Sequence, residues 1–309
     1  MSTQPHLRSL PYAVVDVFAE RALEGNALAI FPDATGLSTE DMQSIARETN
    51  LSETTFILPR SPGIERDRGV QVRIFTTGEE FPFAGHPTLG TASWIYSNHP
   101  HLRGSETIYL DLKAGRIPVT FRPPEPGHPG IFGTMRQNDP VFGDAHDRSA
   151  LAAALNLAPE DLDGSAPAQT VSTGMPFCIV SLRSVEVAAR LQIPQGTAQA
   201  YLKHSDANSF FCICPAAGSP VADWHARMQF PNGEDPATGS AAGCAIAWLV
   251  RYGLVPSRQT ILLEQGIEIL RPSRLHLQAT LADGKVSDVF VGGRTIPVAS
   301  GHLFLPEYT

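Results

Sequence analysis

The feature that most constrains this chain is that it echoes itself at half its length. Residues at n and n+154 agree repeatedly: Phe56 with Phe210, Arg73 with Arg227, Glu80 with Glu234, Pro82 with Pro236, Gly85 with Gly239 and Trp94 with Trp248. A second echo, at a slightly different offset, links Gly25-Asn26-Ala27-Leu28-Ala29-Ile30-Phe31 to Gly174-Met175-Pro176-Phe177-Cys178-Ile179-Val180. The simplest origin is an internal duplication, which predicts two similar domains related by a pseudo-twofold axis. A length of 309 residues is natural for two domains.

Local patterns predict what each half is made of. Tyr12 to Phe18, Leu28 to Phe31, Glu53 to Leu58 and Val70 to Phe75 are rich in β-branched and aromatic residues and read as strands. Ser38 to Glu48 reads as a helix, with Ser38 as N-cap, Asp41 at the third position and an apolar stripe of Met42, Ile45 and Ala46. Pro87 to Tyr96 and Ala237 to Tyr252 also read as helices. Neither has a charged face before Arg251, and a helix apolar all round is a buried one. The expected fold class is therefore α+β, each half a curled sheet around a central helix. Arg122 to Gly133, dense in Pro and Gly, is the expected inter-domain linker, and a strand near Ile296 to Leu305 is expected to return to the first domain.

Composition excludes several classes. The net charge is −8, and Lys113, Lys203 and Lys285 are the only lysines, so no nucleic-acid partner is expected. No run approaches the length of a membrane span and Met1 to Pro11 has no signal-peptide core, so a cytoplasmic protein is expected. Cys178, Cys212, Cys214 and Cys244 all sit in apolar surroundings, as buried thiols do. No cluster has metal-ligand spacing, and no metal is expected.

Three segments carry chemistry. In Asn50-Leu51-Ser52-Glu53-Thr54-Thr55-Phe56, Glu53 opens an apolar strand, where burial would raise its pKa toward the range useful for acid/base work. In Glu80-Phe81-Pro82-Phe83-Ala84-Gly85-His86-Pro87, Pro87 suits the first position of a helix and places His86 at or near the N-cap. Gly85 allows a backbone to approach closely. In Gly233-Glu234-Asp235-Pro236-Ala237-Thr238-Gly239-Ser240, Thr238, Gly239 and Ser240 can present N–H groups and hydroxyls to a carboxylate. The last segment lacks the Lys of a phosphate-binding P-loop and does not form a nucleophile elbow.

Taken in order, N-L-S-E-T, P-F-A-G-H-P-T-L-G and G-E-D-P-A-T-G-S-A-A-G resemble the signatures of the PhzF family of phenazine-biosynthesis-like isomerases. The resemblance runs from Val15-Asp16-Val17-Phe18 to the closing strand. It implies a diaminopimelate-epimerase-like fold, an active site between the two domains, a homodimer and no cofactor. It also implies that Glu53 is the acid/base group, that His86 and Asp235 act with it, and that Gly85, Gly239 and Ser240 hold substrate. The expected domains are 1–123 plus 294–309, carrying Glu53 and His86, and 124–293, carrying Asp235. Racemases of the wider fold place cysteines where this chain has Ala84 and Thr238, so two-thiol chemistry is not expected.

The expected function is thus a cofactor-independent isomerisation, a proton transfer that shifts a double bond on a small amino- or hydroxy-carboxylic acid. Two alternatives stand beside it. One is an epimerase using Glu53 and Asp235 as opposed carboxylates. The other is a non-catalytic small-acid-binding or interaction protein, which would gain nothing from a second negative charge beside an anion site.

Overall fold

The computed structural model describes residues 7–231 and 233–306. Leu7–Val17, Asn26–Phe31, Glu53–Leu58 and Val70–Thr76 are strands, and each carries the branched and aromatic side chains that suit a pleated surface. They lie side by side in that order. Thr107–Leu112, Gly115–Phe121 and Ile131–Arg136 continue the sheet to the long strand Lys285–Pro306, which pairs back onto Leu7–Val17. These strands close into a barrel, so neither end of the set leaves an unpaired edge. The helix Gly85–Asn98 threads it, and its residues from Gly85 to Ser93 are all buried.

From Lys285–Pro306 the sheet runs on the other way through Ser273–Ala282, Ile261–Gln265, Trp224–Arg227, Ser209–Pro215, Pro176–Ser181, Gln169–Ser172 and Val141–Ala145. The helix Gly239–Arg251 packs against this run and is buried almost throughout. Leu89, Ala92 and Ile95 of the first helix share one apolar core with Ala241 to Val250 of the second.

The helix Thr39–Thr49 lies outside the barrel. Its capping box is complete: Ser38 Oγ accepts from Asp41 N at 3.0 Å, and Asp41 Oδ2 accepts from Ser38 N at 3.0 Å. Met42, Ile45 and Ala46 pack on Phe31, Phe56 and Phe75, whose rings meet at 5.2 and 5.5 Å. Burying each of the larger of these side chains stabilises the fold by roughly 1.5–3 kcal/mol. All four cysteines are buried and unpaired.

Three local expectations are corrected. The first central helix begins at Gly85, two residues before the expected Pro87, with Ala84 as its N-cap; His86 lies near that cap, inside the first turn, with its ring turned into the protein. The segment Arg122 to Gly133 is not wholly a linker, because Ile131–Arg136 is a barrel strand paired on both sides. The closing strand is also longer than the expected Ile296 to Leu305. It starts at Lys285, and its successive parts pair with Ser273–Ala282, Ile131–Arg136 and Leu7–Val17.

One device occurs twice. Arg73 grips Glu80 with a fork of hydrogen bonds at 2.9 and 2.8 Å, and Arg227 grips Glu234 in the same way at 2.8 and 2.6 Å. Each pair lies just before a central helix and fixes the turn that leads into it.

Candidate active site

The two central helices meet at their N-termini. A β-carbon on Gly85 would stand 3.0 Å from the Ser240 nitrogen and 3.1 Å from the Gly239 α-carbon, so any larger residue would press on backbone and push the two helix ends apart. The first N–H groups of both helices, each the positive end of a helix dipole, therefore converge on one spot. Two positive ends facing each other repel unless negative charge lies between or beside them. Glu53 and Asp235 supply carboxyls at that place.

Glu53 opens its strand between Leu28 and Thr76 of the neighbouring strands. Two residues on, Thr55 faces the central helix and accepts a hydrogen bond from Thr91 at 2.8 Å. Glu53 shares that inward face, and its side chain is only 14% exposed. Its Oε2 lies 3.4 Å from His86 Nε2, yet neither atom has a hydrogen-bond partner. Burial pushes the Glu53 carboxyl up to about 8, and the charge of Asp235 adds to the rise. Burial lowers His86 to about 3, so the ring is neutral at physiological pH. The contact between them is thus not a resting ion pair, despite its length.

Asp235 is held differently. Asn26 Nδ2 donates to its Oδ1 at 2.7 Å, and Thr238 Oγ1 donates to its Oδ2 at 2.7 Å. Burial raises its pKa to about 6, and these hydrogen bonds work against the rise. Gln265, fully buried, braces the turn: its Nε2 donates to the Asp235 carbonyl at 2.7 Å and to Thr238 Oγ1 at 2.9 Å, and its Oε1 accepts from Thr238 N at 3.0 Å. Gln137 donates to the Gly239 carbonyl at 2.8 Å and accepts from Thr173 at 2.6 Å.

A cavity of about 400 Å³ opens over this cluster. Glu53, Asp235, Thr238 and Ser240 line it, together with Phe81, Phe83, Ile117, Met175, Phe177 and Met228. The structure therefore brings together Glu53, Asp235, Thr238 and Ser240 on one wall. Gly85, His86 and Gly239 are buried beside that wall and are not part of the lining. A larger hollow of about 600 Å³, between the strands near Val14 and Val298 and the helix face at Ser93 to Asn98, is lined by no titratable side chain and offers no acid/base chemistry.

Sequence reasoning passed over Asn26, Gln137, Thr173 and Gln265. Asn26 carries one visible signal, an amide beside an apolar run in Gly25-Asn26-Ala27-Leu28, whereas Gln137 lies in the polar stretch Arg136-Gln137-Asn138-Asp139 and gives none. Among the described residues no group of three or more His, Cys, Asp or Glu is arranged to hold a metal ion, and no helix is long and apolar enough to cross a membrane.

The fold and site together are a barrel of strands around a buried helix, with two carboxyls of raised pKa on the lining of one cavity. Comparison with known proteins gives this arrangement a family. The family model for phenazine biosynthesis-like proteins matches residues 15–301. The chain is 35% identical to the trans-2,3-dihydro-3-hydroxyanthranilate isomerase of Pseudomonas aeruginosa, over 95% of this chain and 99% of that one. It is 33% identical to an uncharacterized isomerase of Mesorhizobium japonicum, over 95% and 98%. Among solved structures, the Bacillus anthracis phenazine biosynthesis protein of the PhzF family superposes with a TM-score of 0.85 at 27% identity, over 96% of this chain and all of that one. The chain belongs to the phenazine biosynthesis-like, or PhzF, family, and it is an isomerase.

Proposed function

We propose that this isomerase moves a double bond in a small cyclic carboxylic acid, of the kind for which its Pseudomonas relative is named, with Glu53 as the proton carrier. The observation that carries this reading is the Glu53 carboxyl itself: buried, at the cavity wall, with a pKa raised to about 8 and an Oε2 that no protein group occupies. Glu53 in its ionised form takes a proton from a carbon next to the conjugated system. The electron pair left behind moves through that system and relocates the double bond. The same carboxyl then returns the proton to a second carbon, so nothing is oxidised or reduced and the product is an isomer.

His86 steadies Glu53, and Asp235 with Thr238 and Ser240 orients the substrate's polar groups. Gly85 and Gly239 let the two helix ends come close enough to favour a bound carboxylate. The apolar walls at Phe81, Phe83 and Phe177 suit a ring. An epimerase would need a second free base on the opposite face. Asp235 is poorly suited to that, because both its oxygens already accept hydrogen bonds from Asn26 and Thr238.

The reading includes two units descended from a duplication, 1–123 plus 294–309 and 124–293. The recurrence of the Arg73–Glu80 fork as Arg227–Glu234 supports it, as do helix starts at Gly85 and Gly239, at the same offset. A homodimer working without a cofactor follows from the family resemblance, and a cytoplasmic location is part of the same reading.

The test is turnover of trans-2,3-dihydro-3-hydroxyanthranilate by the wild type and by Glu53→Gln. The variant should lose about 10²-fold or more in kcat while still binding the compound. Wild-type kcat in the variant would sink the mechanism. With substrate deuterated at the acidic carbon, partial retention of label at the new position is expected. Inversion at the original carbon, with solvent hydrogen incorporated and no double-bond shift, would speak for the epimerase.

A further inference from the structure

The buried amide of Asn26 sits where both halves of the site meet. Its Nδ2 lies 2.7 Å from Asp235 Oδ1, 3.1 Å from the Ala237 carbonyl oxygen and 3.3 Å from His86 Nδ1. The residue is 1% exposed, so no solvent competes for these contacts. The Ala237 carbonyl can only accept, and an ionised Asp235 oxygen can only accept. The amide therefore cannot be turned over: its NH₂, not its oxygen, must face this group of atoms.

That orientation bears on a third group. The amide has two hydrogens for these three neighbours, and the two shorter contacts claim most of them, but its nitrogen has no lone pair to accept with. A proton on His86 Nδ1 would therefore face a donor, and the arrangement favours the lone pair on Nδ1. In a neutral ring the proton then sits on Nε2. His86 Nε2 is buried, has no hydrogen-bond partner, and lies 3.4 Å from the equally unpartnered Glu53 Oε2. Two orphaned buried atoms side by side are expensive to maintain, because each has lost water and gained nothing. They become a good pair at one moment: when Glu53 is ionised, a small movement lets the Nε2–H donate to the carboxylate.

We infer that Asn26 is a positioning residue that fixes the tautomer of His86, so that a permanent Nε2–H donor faces Glu53 and stabilises its ionised form during proton transfer. The chain of contacts runs from Asn26 through the imidazole to Glu53. In this arrangement His86 transfers no proton of its own, and the lowering of its pKa to about 3 by burial agrees with a ring that stays neutral. The other titratable group close to Glu53 is Asp235. The same Asn26 amide holds that carboxyl, which ties the two acids of the site to a single side chain. The inference rests on Glu53 as the proton carrier only for its effect on rate, not for the tautomer itself.

The test uses the full chain labelled with ¹⁵N-histidine. Long-range ¹H–¹⁵N correlation spectra distinguish the two neutral tautomers and the imidazolium, and a His86→Gln sample assigns the signal. The wild type should show His86 neutral with its proton on Nε2 throughout pH 5 to 8. A proton on Nδ1, or an imidazolium in that range, overturns the inference, whatever the enzyme's activity.

Asn26→Leu, close in size and without a donor, should give mixed tautomers. It should also move the Glu53 limb of the pH–rate profile upward by about one pH unit or more, the usual scale for losing a hydrogen bond to a charged form. An unchanged tautomer and an unmoved limb in that variant overturn it as well. If the variant does not fold, the wild-type spectrum still decides. If Glu53→Gln keeps full turnover, the proposed reaction falls while the tautomer result stands by itself.

Discussion

Gly85 and Gly239, far apart in the chain, are packed backbone to backbone where the two central helices begin, with the Gly85 α-carbon 3.5 Å from where a Gly239 β-carbon would stand. A Gly85 side chain would strike the Ser240 nitrogen and the Gly239 α-carbon, neither of which can swing aside. Gly85→Ala should therefore push the helix ends apart and lower kcat/KM by at least about tenfold, on the scale at which small misplacements cost rate. Circular dichroism should show an intact fold. Wild-type kinetics in a folded variant would mean that the helix contact does not shape the site.

The pH dependence follows from the raised pKa of Glu53. If the ionised carboxyl is the working base, kcat/KM should climb as pH rises through about 8, the value to which burial and Asp235 push it. The limb should vanish in a Glu53→Gln enzyme assayed for residual turnover. A profile that instead falls through that range would assign Glu53 the role of initial acid.

The same shift has a cost in stability, and its sign can be stated. Glu53 holds its proton more tightly in the folded state than when unfolded, where its pKa is near 4.5. Its contribution is most favourable below that value and is lost as pH rises toward 8. Glu53→Gln should therefore melt higher than the wild type at pH 8 to 9, with the gap shrinking toward pH 4. The expected shift is about 2–4 °C for each kcal/mol relieved. A variant that melts no higher than the wild type at pH 9 would show that the ionised carboxylate costs nothing where it sits.

The two forked ion pairs should differ in worth. Arg227 and Glu234 have side chains 7% and 6% exposed, whereas Arg73 and Glu80 are 23% and 20% exposed. Arg227 also donates to the Ala188 and Leu191 carbonyls at 2.6 and 3.1 Å. Arg227→Met should cost about 3–5 kcal/mol in urea unfolding, because it strands a buried carboxylate. Arg73→Met should cost about 1 kcal/mol or less. Equal losses would contradict the burial argument.

What was legible in the sequence depended on how local its cause was. Ser38 and Asp41 sit three residues apart, and their mutual capping needs nothing else, so Thr39–Thr49 could be read directly. Glu53 stood out as a charge opening an apolar strand, and Asp235 through the resemblance of its motif. Asn26 did not, because an amide in a strand reveals nothing about partners 60 and 209 residues away. His86 was expected at or near the N-cap because Pro87 suggested the start; the helix begins two residues earlier, at Gly85, which leaves His86 near the cap and buried. The closing strand extends well before the expected Ile296, through Asp288, Gly292 and Gly293. In the fold the strand changes partners there, and a β-carbon at Gly292 would come 2.9 Å from Thr134 Oγ1.

The strand Lys285–Pro306 gives the barrel an order of assembly in time. Leu7–Val17 is made before one of its two neighbours, which follows almost 300 residues later. Until then the first half of the chain carries open edges at Leu7–Val17 and Ile131–Arg136 and cannot close around its helix. Such edges are where chains stick to one another. The chain is therefore open to misassembly over the stretch made between these strands, and the barrel that carries Glu53 can close only once Lys285–Pro306 has been made.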